Sequence, residues 1–210
     1  MTHIKLCGLT RPEDIAAANA VKPEYIGFVF APKSRRYVSP EQAKVLKAQL
    51  DPEIKAVGVF VNEAPETVAR LLHENIIDLA QLHGQEDAAY IARLRRLTDK
   101  PILQAFRVEN AASLAAAAKS PADMVLLDSG AGGTGTAFDW KLLQGFPRPY
   151  FLAGGLDAGN AAAAIARLHP YAVDVSSGIE TDGRKDPAKM AAFAAAVRGQ
   201  EDTTERKETL

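Results

Sequence analysis

The chain has 210 residues, 47% of them hydrophobic and 24% charged, with 25 basic residues against 26 acidic for a net charge of −1. That length holds one domain of the usual size, about 100 to 250 residues, the hydrophobicity excludes a largely disordered chain, and the near-neutral charge excludes non-specific capture of nucleic acid. A single cysteine excludes an intramolecular disulfide and every zinc site built on paired cysteines. No run of 18 apolar residues marks a transmembrane helix, and the first residues, Met1-Thr-His-Ile-Lys-Leu-Cys7, lack the pattern of a signal peptide. A soluble cytoplasmic protein is expected, with neither a nucleic-acid nor a membrane partner.

Short apolar runs rich in β-branched residues occur at 3–7, 25–30, 55–61, 78–83, 102–108, 123–128, 149–153 and 171–175. Stretches with helical spacing lie between most of them. The first follows Thr10-Arg11-Pro12-Glu13, where Thr10 reads as an N-cap and Glu13 as its capping-box partner. Ser39-Pro40-Glu41-Gln42 repeats that signature before the second. Later helices are expected at 65–74, 87–97, 110–119, 138–143, 157–168 and 186–197. Eight strand–helix units predict an α/β fold with a parallel sheet. Their near-equal size favours closure into a (β/α)₈ barrel of minimal length with short loops over an open doubly wound sheet. The barrel is expected over 1–199. Residues 200–210 lack apolar periodicity and are expected to form a disordered tail.

Barrel enzymes place chemistry at the C-terminal ends of their strands, and the reactive residues of this chain fall there. Strand one ends in Cys7, with Lys5 two residues back on the same face. A nearby ammonium favours the thiolate, which can act as nucleophile or base. Strand two leads to Lys33, Arg35 and Arg36, and one inward guanidinium would clamp a carboxylate. Spacing does not choose between Arg35 and Arg36. Strand four ends in Gln81-Leu-His83, either lining the mouth or, for His83, serving structure.

Strand six ends in Asp128, a candidate general acid at the mouth or else a helix cap. The Gly130-Ala-Gly132-Gly133-Thr-Gly135 that follows matches a dinucleotide pattern in the wrong place, after a sixth strand, and reads instead as a loop able to close over the site. Gly154 and Gly155 follow strand seven, and Ser176, Ser177 and Gly178 follow strand eight. Together they read as a phosphate cradle. Asp174, within strand eight, would face the interior, either to bind a sugar hydroxyl or to orient a basic partner. His3, His73 and His169 show no metal-ligand spacing, and no metal or cofactor is expected.

Together these residues resemble the phosphoribosylanthranilate isomerase family of tryptophan biosynthesis. The likeness runs from Ile4 to about Asp186 through Lys5-Leu-Cys7-Gly8-Leu-Thr10, Gly27-Phe-Val-Phe30, Arg36-Tyr37-Val38-Ser39-Pro40, Gln81-Leu-His-Gly84, Gly132-Gly-Thr-Gly135, Ala153-Gly-Gly-Leu156 and Asp174-Val-Ser-Ser-Gly178. The resemblance implies a cofactor-free barrel that performs an Amadori rearrangement of a phosphorylated amino sugar. It implies Cys7 as general base, Asp128 as general acid, Arg36 rather than Arg35 on the anthranilate carboxylate, and Asp174 near the substrate. Monomer and homodimer are both open. The competing readings are an aminosugar-phosphate isomerase of the histidine-biosynthesis type, a phosphate-ligand barrel without catalysis, and a lyase on the same cradle.

Overall fold

The computed structural model describes residues 1–128 and 140–208, and side chains as far as Gly199. In chain order the elements are β1 (His3–Cys7), α1 (Pro12–Val21), β2 (Tyr25–Val29), α2 (Pro40–Lys47), β3 (Lys55–Phe60), α3 (Pro65–His73), β4 (Leu79–Leu82), α4 (Ala88–Arg95) and β5 (Ile102–Arg107). There follow α5 (Ala111–Ala118), β6 (Met124–Asp128), a 3₁₀ turn (Trp140–Leu143), β7 (Tyr150–Ala153), α6 (Ala161–Leu168) and β8 (Ala172–Val175). A second 3₁₀ turn (Ser177–Ile179), the hairpin β9 (Glu180–Thr181) and β10 (Arg184–Lys185), and α7 (Pro187–Glu208) complete the chain. Strands β1 to β8 close in sequence order into one barrel, β8 pairing in parallel with β1.

The pleat sends alternate side chains inward. Lys5 pairs in register with Tyr25 on one side and Asp174 on the other, and Leu103 pairs with Gln81 and Met124. Tyr25, Val57, Leu79, Leu103, Leu126, Phe151 and Ala172 fill the interior as one buried cluster. The opposite faces of the same strands, with Leu6, Ile26, Phe28, Phe60, Leu82, Val125 and Val173, form the larger core beneath the helices. Strands buried on both faces therefore read as continuous apolar runs, which is why the sequence located all eight to within a residue or two.

Helix boundaries were less legible. The N-cap of α1 is Arg11, not Thr10, and the buried carboxylate that receives the turn is Asp14, not Glu13. Asp14 Oδ2 accepts from the backbone N–H of Thr10 (2.9 Å) and Arg11 (3.1 Å), while its other oxygen holds the Arg11 guanidinium. Ser39 does cap α2, accepting from Gln42 N–H at 3.2 Å. The helix expected from 157 starts at Ala161, because Asp157 Oδ1 accepts from the N–H of Gly159 and Asn160 and forms a turn first. Residues 140–143 form a 3₁₀ turn where an α-helix was expected. The backbone of α7 continues to Glu208. The side chains of the expected tail, 200–210, lie outside the described residues. So does the glycine-rich loop 130–135.

Candidate active site

A cavity of about 740 Å³ opens at the C-terminal ends of the strands. The pleat explains its lining: Cys7, Val29, Val59, Gln81, Ala105, Asp128 and Asp174 are the inward residues closest to the mouth. His83, Gly154, Gly155, Ser176 and Ser177 join them from the loops. Gly178 does not line it. A Cβ there would lie 2.0 Å from the Leu156 carbonyl oxygen, so this glycine lets the loops after β7 and β8 pack together behind the cavity.

Cys7 reaches the cavity because its neighbour on β2 is Gly27, where a Cβ would meet Cys7 Sγ at 2.7 Å. Burial pushes the Cys7 thiol up. Lys5 pulls it down, Asp174 opposes, and Lys185 pulls it down again, but the net direction is up. Lys5 favours the thiolate as expected, but its Nζ is fully buried and bound to Asp174 Oδ1 at 2.9 Å, and desolvation of the thiol outweighs it. Burial also works against the Lys5 ammonium, yet Asp174 and then Cys7 hold it above its ordinary value. Asp174 thus both lines the cavity and neutralises Lys5.

Across the mouth, separated from β1 by β7 and β8, Asp128 ends β6. His83 Nε2 lies 3.8 Å from Asp128 Oδ2, and His83 Nδ1 lies 3.1 Å from Gln81 Nε2. Gln81 Oε1 is buried with no hydrogen-bond partner among the described residues. Arg36 lines the cavity and Arg35 does not; the Arg35 side chain is 60% exposed against 22% for Arg36. Arg36 crosses above Gly8, whose φ of +82° and missing Cβ both matter, since a Cβ would sit 2.4 Å from Arg36 Cδ.

One residue that lines the cavity and two that bind lining residues escaped the sequence reading. Arg107 lines the wall from the end of β5 and forms an ion pair with Glu109 at 3.3 Å. The alternation Leu103, Ala105, Arg107 was the signal that could have found it. Glu180 and Lys185 sit on the β9–β10 hairpin, which has no periodicity to read. Lys185 Nζ donates to Glu180 Oε1 at 2.7 Å and to the Ser176 carbonyl at 2.9 Å, and Ser176 Oγ donates to the Cys7 carbonyl at 3.1 Å. Among the described residues no group of three His, Cys, Asp or Glu side chains could hold a metal ion, and no helix is long and apolar enough to cross a membrane.

Residues 4–196 match the family described as N-(5'-phosphoribosyl)anthranilate (PRA) isomerase. The chain belongs to that family. The N-(5'-phosphoribosyl)anthranilate isomerase of Endomicrobium trichonymphae is 45% identical over 202 residues, covering 94% of this chain and 99% of that protein. The phosphoribosylanthranilate isomerase of Thermotoga maritima, described elsewhere as dimeric, superposes with a TM-score of 0.87 at 35% identity, covering 95% of this chain and all of that one. A family structure in complex with reduced 1-(o-carboxyphenylamino)-1-deoxyribulose 5-phosphate superposes with a TM-score of 0.85 at 34% identity, over the same shares.

Proposed function

We infer that the chain converts N-(5-phosphoribosyl)anthranilate to 1-(2-carboxyphenylamino)-1-deoxyribulose 5-phosphate by an Amadori rearrangement. The observation that carries the assignment of roles is that Cys7 from β1 and Asp128 from β6 line one cavity, with Arg36 on its wall. Asp128 protonates the furanose ring oxygen, and the bond from that oxygen to C1 breaks. The nitrogen lone pair forms a Schiff base. Cys7 then removes the C2 proton, and the electrons close the C1–C2 double bond of an enolamine, which tautomerises to the ketone. The reaction moves protons and opens one C–O bond within the substrate, so an acid and a base suffice without cofactor or metal.

The remaining residues bind. Arg36 takes the anthranilate carboxylate. Gly154 and Gly155, whose φ values of +97° and +64° turn the backbone after β7, cradle the phosphate with Ser176 and Ser177, and Gly178 supports them from behind. Gln81 Oε1 accepts from a substrate N–H or hydroxyl, which relieves its buried, unpaired state. His83 adjoins Asp128, and Asp174 holds Lys5 beneath the sugar. All these groups come from one chain, so a monomer and a homodimer serve equally. We assign the activity to the barrel of residues 1–199, acting in the cytoplasm, and none of it to 200–210.

The test is loss of substrate fluorescence on adding purified protein. Turnover supports the reading. Phosphate-analogue binding without turnover would mean a non-catalytic barrel, and turnover of the histidine-pathway aminosugar phosphate alone would mean the other isomerase.

A further inference from the structure

The carboxylate of Glu180, only 5% exposed, is met by three cations. Arg36 Nε and Nη2 donate to its two oxygens at 2.6 and 2.9 Å, Arg35 Nη2 at 2.7 Å, and Lys185 Nζ at 2.7 Å. A guanidinium has two edges that match a planar carboxylate. Glu180 occupies the Nε/Nη2 edge of Arg36. Among the described residues the Nη1/Nη2 edge is left for a second planar anion, and Arg36 lines the cavity.

We propose that Glu180 is a positioning residue for the substrate carboxylate: it grips one edge of Arg36 so that the other is presented, already oriented, to the anthranilate ring. The inference rests on the reaction proposed above. Without Glu180 the Arg36 side chain rotates about its own torsions, and substrate binding must order it at an entropic cost. The surroundings support a fixed clamp. The Arg36 stem is confined above Gly8, where no Cβ fits beneath it. Lys189 Nζ donates to the Glu180 carbonyl at 2.7 Å and Arg11 Nη2 to the Lys185 carbonyl at 3.0 Å, so the hairpin that carries Glu180 is tied to α7 and α1. The cluster has three cations for one carboxylate, so it retains positive charge towards a substrate that carries both a carboxylate and a phosphate.

Steady-state kinetics on the full chain test this. Glu180→Ala is expected to raise KM at least about tenfold and to change kcat less than about threefold, because the clamp binds substrate and transition state alike. Arg36→Ala is expected to raise KM similarly, and adding Glu180→Ala to it is expected to cost little more, as for two residues acting through one contact. Arg35→Ala removes an equal charge from Glu180 without touching the clamp and is expected to leave KM within about twofold. Calorimetry supplies a readout that a merely structural role would not move. The loss of affinity in Glu180→Ala is expected for a reduced product analogue carrying the ring carboxylate and not for its aniline counterpart. An unchanged KM, a fall in kcat matching that in kcat/KM, equal weakening of both analogues, or an Arg35→Ala effect as large as that of Glu180→Ala would overturn the proposal. Absence of turnover by the unaltered chain would instead sink the reaction itself, while the two analogues would still report on the clamp.

Discussion

The interior of this barrel has two ends made from the same eight strands. At the N-terminal end His3, Tyr25, Phe151 and Tyr171 meet ring against ring, with centroids 4.6 to 6.3 Å apart, and the hydroxyls of Tyr25 and Tyr171 lie 3.1 Å from each other. At the C-terminal end, one or two inward positions further along each strand, stand Lys5 with Asp174, then Cys7, Gln81 and Asp128. The pleat is identical at both ends; only the residues it turns inward differ. Aromatic and aliphatic side chains close the floor, where His3 Nδ1 is the buried polar atom with no hydrogen-bond partner among the described residues. The mouth carries buried charges that cost stability and are tolerated as pairs. Stability and chemistry are thereby separated along the barrel axis, so that either can be altered alone.

The largest expected effects are at the mouth. Cys7→Ala and Asp128→Asn should each lower kcat by about 10²- to 10⁴-fold while urea unfolding stays close to that of the unaltered chain. Near-normal turnover in either variant would remove that residue from the mechanism. Because burial holds the thiol up, the base form of Cys7 gains population as pH rises, so kcat/KM should climb on the alkaline side of neutrality. A flat profile there would break the link to Cys7.

Phe151→Ala strikes the floor. This fully buried ring should cost about 3 to 5 kcal/mol of unfolding free energy, with kcat of the folded fraction unchanged. A large fall in kcat would show that the two ends are not independent.

Acid sharpens the comparison from the mouth's side. The Glu180 carboxylate, opposed by burial but held by Arg36 and Lys185, is pushed down from 4.5 to about 2. Its folded value lies below its unfolded one, so its contribution to stability is present above about pH 4.5 and disappears as pH falls towards 2. Urea midpoints measured across that window should drop less steeply for Glu180→Gln than for the unaltered chain. Equal slopes would mean that the Glu180 carboxyl is not held below its ordinary value in the folded chain. The smallest effect belongs to Tyr25→Phe, which removes one hydroxyl from the floor and should cost about 1 kcal/mol with no change in activity.

The sequence located the strands well and the clamp poorly, for a common reason. Strand residues repeat every second position, so Cys7, Gln81, Asp128 and Asp174 could be assigned to one face before any coordinates. Loop residues have no period. The choice between Arg35 and Arg36 could not be made from spacing, and Glu180 and Lys185 drew no notice although they lie within hydrogen-bond reach of Arg36 and Ser176 respectively. Thr10 and Glu13 were read as the first helix cap where Arg11 and Asp14 serve, because a run of polar residues offers several registers for one motif. Lys5 was rightly set on the Cys7 face, but its main partner, Asp174, is 169 residues away.

By itself, then, the sequence determined the fold class, the family and the row of inward side chains, since these follow from periodicity and local motifs. Only the tertiary structure decided which charges meet. Closing β8 against β1 sets Asp174 beside Lys5, and packing the last hairpin against the loop after β2 sets Glu180 against Arg36. The balance between burial and the charges it brings together then sets the direction in which Cys7, Lys5 and Glu180 titrate, and that balance is a property of the closed barrel that no local stretch of residues carries.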